Sequence, residues 1–169
     1  MAKHFNITGG LTQELLAAGS NTNVSSVSLT NVSSSHMAIV DLYIEKKQTG
    51  KFYLLKNVNI PVGVTLTHEI KGFNNKTNGF GLYINLTKTT TFTLTGSINP
   101  AASVIVPGSG TAFLSEISVG DEIVVSGETR VVSGIKSDTY LYVTTAFSDN
   151  ANDTSPDCNP IAPVDVILS

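Results

Sequence analysis

The chain of 169 residues is 41% hydrophobic and only 14% charged, with a formal net charge of -3, one cysteine and no tryptophan. That length suits one ordinary domain or two small ones. The scattered basic residues exclude the concentrated positive footprint of a nucleic-acid binder, and a single cysteine excludes an internal disulfide framework.

In chain order, residues 2–23 (AKHFNITGGLTQELLAAGSNTN) carry too few apolar residues to make a core alone, and they are expected to dock on a neighbouring subunit. They show no apolar run of signal-peptide length, and no later segment is long enough to span a bilayer. The expectation is a chain made in the cytoplasm, with no membrane partner. Within residues 12–19 (TQELLAAG), Thr12 suits a helix N-cap and Gly19 a C-terminal stop; a short strand fits the same residues.

Beyond them, alternation dominates. Val27 and Leu29 share one face and Ser26, Ser28 and Thr30 the other; Ala38, Val40, Leu42 and Ile44 oppose Asp41 and Glu45. Residues 51–58 (KFYLLKNV) are apolar on both faces. The stretch 60–63 (IPVG) predicts a turn, with Pro61 at its second position and Gly63 closing it. Val64, Leu66, His68 and Ile70 then face inward, and Phe80, Leu82, Ile84 and Leu86 follow a loop over 72–79. Lys46, Lys47, Lys51 and Lys56 read as a solvated hairpin end.

From Lys88 the chain turns Thr-rich and is punctuated by Pro100 and Pro107. Residues 113–135 (FLSEISVGDEIVVSGETRVVSGI) read as a compact β unit. Gly127-Glu128 is expected to form a type II′ hairpin loop that pairs Val124 with Val131. A strand over 140–147, a long loop over 148–160 and a last strand, VDVILS, complete the chain. Val164, Val166 and Leu168 alternate like the strands before residue 87. A short strand after a long loop needs a partner, and insertions succeed where two chain ends lie close together. The fold class expected is therefore all-β: an antiparallel β-sandwich over 1–87 plus 162–169, with a small SH3-like barrel domain, 88–161, inserted before its last strand.

The stretches SSVSLTNVSSSHMAIVDLYI, KFYLLKNVNIPVGVTLTHEI, GLYINL and VDVILS resemble a β-sandwich of small virion structural proteins of tailed bacteriophages, notably cyanophages. In that group the VDVI-like strand usually follows the GLYI-like strand closely; here residues 88–161 intervene. Residues 108–147 resemble a barrel-like module of phage tail fibres and other appendages. The resemblance implies a structural component of the virion, either a capsid decoration protein or a neck or tail accessory protein. Its partners would be copies of itself, in a homo-oligomer, and the major capsid or tail and neck proteins.

Candidate chemistry is sparse. His4, His36 and His68 lie in separate elements, and no Ser-His-Asp or Cys-His spacing is recognisable. Cys158 stands in a loop context, SPDCNP, with no second cysteine. Asp149, Asp153 and Asp157 are the weak metal candidates, because carboxylates and loop carbonyls suit Ca²⁺. Their spacing by four lacks the order of a calcium loop, so no metal and no cofactor is expected. Tyr43, Tyr53 and Tyr83 read as strand packing. Tyr140 and Tyr142 are the residues to bind a glycan if the chain is instead a receptor- or carbohydrate-binding module of an appendage. The expectation is a protein that is not an enzyme.

Overall fold

A computed structural model describes residues 2–46, 50–75, 79–148 and 151–169. In chain order the elements are β1 (Lys3–Ile7), β2 (Gln13–Leu16), β3 (Asn23–Asn31), β4 (Ala38–Lys46), β5 (Gly50–Ile60), β6 (Thr65–Asn74), β7 (Phe80–Thr87), β8 (Phe92–Thr93), β9 (Ser97–Ile98) and β10 (Ile105–Ser109). A single helical turn, α1 (Phe113–Glu116), precedes β11 (Glu122–Val125), β12 (Glu128–Ser137), β13 (Tyr140–Val143), β14 (Asp157–Asn159) and β15 (Val164–Leu168). The protein is all-β, and the chain divides into two compact units, Met1–Thr87 with Ala162–Ser169, and Lys88–Ile161.

The first unit is a sandwich of two four-stranded antiparallel sheets, ordered β1-β15-β3-β6 and β2-β7-β4-β5. The alternation of apolar and polar residues sets its core. Val27, Leu29, Val164 and Val166 from the first sheet, and Val40, Leu42 and Ile84 from the second, are fully buried. Each contributes about 2 kcal/mol by removing its side chain from water. Strand β15 lies between β1 and β3, with Val166 opposite Phe5 on one side and Leu29 on the other.

Residues 2–23 do not form a free arm. Their β1 and β2 complete the two sheets of their own chain, and Ile7, Leu15 and Leu16 are buried there. Within the TQELLAAG stretch, Gln13–Leu16 is a strand, because pairing with β7 satisfies its backbone where one turn of helix leaves most groups unbonded. The turn after β5 runs Pro61–Val64: the Val64 N–H donates to the Pro61 carbonyl (3.1 Å), and Gly63 takes the third position at φ 71°. Pro61 thus opens the turn rather than standing second. This turn does not join a hairpin, since β5 and β6 lie in different sheets.

Asn31, fully buried, ties that end of the sandwich together. Its Nδ2 donates to the carbonyls of His36 and Ile60 (both 2.9 Å), and its Oδ1 accepts from the Ser33 N–H.

The second unit holds a seven-stranded sheet ordered β8-β14-β11-β12-β13-β10-β9. Its end strands, β8 and β9, are separated only by residues 94–96, so the sheet curls until its ends meet. Gly96 sits in that corner at φ 83°, where an added Cβ would lie 2.5 Å from the Ser109 carbonyl oxygen. An isolated bridge from Ile98 to Asp153 links β9 to the approach to β14. Inside are Ile98, Phe113, Ile123, Val132, Leu141 and Phe147.

Two local expectations are corrected here. Residues 113–116 form α1 rather than strand, with Phe113 as the buried anchor. The β11–β12 loop is Ser126-Gly127, not Gly127-Glu128: φ is 51° at Ser126 and 81° at Gly127, the two positive values of a type I′ turn. Val125 pairs with Glu128 and Val124 with Thr129. The Asp153 carboxylate supports this turn by accepting the Ser126 N–H at 2.6 Å.

Candidate functional site

On β13, Leu141 and Val143 point into the second unit, so Tyr140 and Tyr142 point out on one face. Tyr142 lies opposite Ile105 on β10 and Gly134 on β12; Tyr140 lies opposite Pro107 and Ser137. Gly134 lets the Tyr142 ring lean onto the backbone, since a Cβ there would sit 3.3 Å from Tyr142 Cδ2. Ile105 and Tyr140 are each 46% exposed, and the Lys136 ammonium stands 6.0 Å from the Tyr140 ring centre. The result is a strip of aromatic and aliphatic faces with one cation at its edge, suited to stacking and lacking an acid–base pair.

A second aromatic row crosses the sandwich. Tyr83, Tyr43 and Tyr53 stand side by side on β7, β4 and β5, with Glu14 of β2 at the end of the row. Tyr43 and Tyr83 stack at 5.7 Å between ring centres, and the Tyr83 hydroxyl donates to Glu14 Oε2 at 3.3 Å. The lysines are more than a solvated hairpin end: Lys51 lies 4.4 Å from the Tyr43 ring centre, Lys56 3.9 Å from that of Tyr53, and Lys46 5.9 Å from that of Phe80. Lys47 falls outside the described residues. Hydrogen bonding to Tyr43 raises the Lys51 pKa above its ordinary value, and burial beside Glu14 raises that of Tyr83. The periodicity of single strands could not show this row. It needs the registers of three strands and two irregularities in β5, one between Tyr53 and Leu55 and one at Lys56–Asn57, where Asn57 takes φ 51° and donates its N–H to Asp41.

The aspartates take local roles. Asp153 accepts from the N–H groups of Ser126 and Ser155, Asp157 accepts from the Thr93 hydroxyl at 2.8 Å, and Asp149 lies outside the described residues. Among the described residues no three His, Cys, Asp or Glu side chains converge as metal ligands. The histidines stay apart: His4 is on β1 opposite Ile167, His68 on β6 opposite Val27, and His36 in a loop with its Nδ1 2.8 Å from Ser35 Oγ. Among the described residues no helix is long and apolar enough to cross a membrane. No family model, curated protein or solved structure matches the chain.

Asp121 and Cys158 form a buried polar pair that sequence reading missed. Asp121 is 2% exposed and accepts from the N–H groups of Ser118 and Ile161, each at 2.8 Å. The Cys158 thiol, fully buried, points at Asp121 Oδ2 from 3.9 Å. Burial, and then the Asp121 charge, push the thiol pKa far above its ordinary value. With the folded-state pKa raised, the unfolded chain loses its thiol proton first as pH climbs. Stability is therefore whole below the unfolded value and falls above it. Relative to a Cys158→Ala variant, the wild type is expected to lose about 1.4 kcal/mol per pH unit above about pH 8.5. Denaturant titrations of both proteins across that range measure the slope, and alkylation of the folded wild type should stay slow throughout.

Proposed function

We propose that this chain is a non-enzymatic structural component of a tailed-phage virion, either a capsid decoration protein or a neck or tail accessory protein, acting through symmetric protein–protein assembly. One observation carries the reading. The outward face of the sheet β1-β15-β3-β6 is broad and mostly uncharged, running Asn6, Asp165, Thr30, Thr65 in one row and His4, Ile167, Ser28, Thr67 in the next, with Glu69 opposite Ser26 beyond them. Its hydroxyls pair across strands, Ser28 with Thr67 at 3.1 Å and Thr30 with Thr65 at 2.8 Å. Such a face buries against a neighbour with little desolvation of charge, as the centres of interfaces require. The curled sheet of the second unit suits an SH3-like module carried on that body.

Imaging of purified particles at subunit resolution tests the reading; density for this chain in symmetric copies supports it, and its absence from particles rejects it. Binding of the purified protein to expanded capsids, in numbers set by shell symmetry, separates decoration from a place in the tail. A second reading is favoured by the strip around Tyr140 and Tyr142: a receptor- or carbohydrate-binding module that stacks sugar rings on those faces. Saturable binding on a glycan array, lost in Tyr140→Ala and Tyr142→Ala, supports it.

A further inference from the structure

Strand β5 forms one edge of the sheet β2-β7-β4-β5 and β2 the other; among the described residues nothing pairs with the outer side of either. Open edges present unpaired N–H and C=O groups that another strand can complete. Edge β5 is long, and its first four residues, Gly50 to Tyr53, pair with β4 in unbroken register, with Phe52 52% and Tyr53 42% exposed. Beside β2, Leu11 is 74% exposed. Two short connections, Ile60 to Thr65 and Ile7 to Gln13, each cross from one sheet to the other. Consequently β5 and β6 share one flank of the sandwich, and β1 and β2 share the opposite flank.

We propose that copies of this chain associate flank to flank, β5 of one copy adding antiparallel to β2 of the next, so that the sheets run on from copy to copy.

Direction, face and charge all select this pairing. All neighbours in the sheet are antiparallel, so β2 and β5 run in opposite directions, and a copy displaced sideways presents β2 antiparallel to β5 with the same face outward. The same displacement sets β6 antiparallel to β1 in the other sheet. The row Glu14, Tyr83, Tyr43, Tyr53 then repeats, with Glu14 of one copy arriving beside Tyr53 of its neighbour, next to Lys51 and Lys56. Pairing β5 with β5 about a two-fold axis would instead bring the lysines of both copies together, and like charges across an interface are costly. A β5–β2 contact is head-to-tail, and generates a ring or an open series rather than a closed dimer.

The inference rests on the assembly reading but is tested in solution with the full chain, so a monomeric protein would overturn it and leave a place in the virion open. Sedimentation of the wild type should show concentration-dependent species larger than a dimer that weaken as salt rises. Lys51→Glu with Lys56→Glu, and separately Glu14→Lys, should each weaken association about tenfold or more, and the combined variant should restore it. Amide exchange on the wild type gives a reading that needs no substitution. Protection should grow with concentration at both Gly50–Leu55 and Gln13–Leu16. A monomer at every concentration, no recovery in a folded combined variant, or protection gained on β5 alone would each overturn the proposal.

Discussion

Changing Val166 to aspartate unfolds the sandwich, whereas the same change at Ile167, one residue on, costs it about 1 kcal/mol. Val166 is fully buried between Phe5 and Leu29, and a carboxylate there has no cation within its layer of valine and leucine. Burial of an unpaired charge costs about 4 kcal/mol or more, much of the stability of an ordinary domain. Ile167 lies on the opposite face, 37% exposed, between His4 and Ser28. Circular dichroism gives the overall loss. Amide exchange along β3 and β6, compared with β11 to β13, assigns it to the first unit.

The second large effect is expected at Asp121. Asp121→Ala removes the acceptor of two backbone N–H groups, at Ser118 and Ile161, the latter bond being buried. Leaving such donors without a partner costs about 3 kcal/mol. Asp121→Asn keeps one carbonyl oxygen at the site and should lose roughly half as much. Denaturant unfolding measures both, and exchange at the Ser118 and Ile161 amides should rise first. An alanine variant as stable as the wild type would remove Asp121 from the framework of the curled sheet.

The all-β class was legible because strands such as β3 and β15 bury one face only. Val27 and Leu29, like Val164 and Val166, alternate with Ser28 and Asp165, and burial follows that alternation residue by residue. Features decided by distant partners were not legible. The loop Ser126-Gly127 differs by one residue from the alternative, and the acceptor that favours it, Asp153, lies far along the chain. Helix α1 is a single turn, too short for a 3.6-residue period to register against its β neighbours. At the candidate sites, the i, i+2 spacing of Tyr140 and Tyr142 already puts both on one face. The row of Tyr83, Tyr43 and Tyr53 depends on registers across three strands and on shifts in the β4–β5 pairing, which no single segment contains. Cys158 stood out as a loop thiol; only the pairing of β14 with β11 brings it to Asp121.

The place of β15 between β1 and β3 also imposes an order of events on synthesis. A chain leaving the ribosome releases β1 through β7 early, yet the strand that joins β1 to β3 follows only after all of 88–161 has emerged. At about 5–20 residues per second that delay is on the order of ten seconds. Throughout it the nascent front half has a gap in one sheet, with the apolar sides of Val27 and Leu29 awaiting their cover. The interposed unit has its whole sequence available before the outer one does, so it can mature first and, through the bond from the Thr89 N–H to the Pro160 carbonyl (2.9 Å), bring the start of β15 back towards the end of β7.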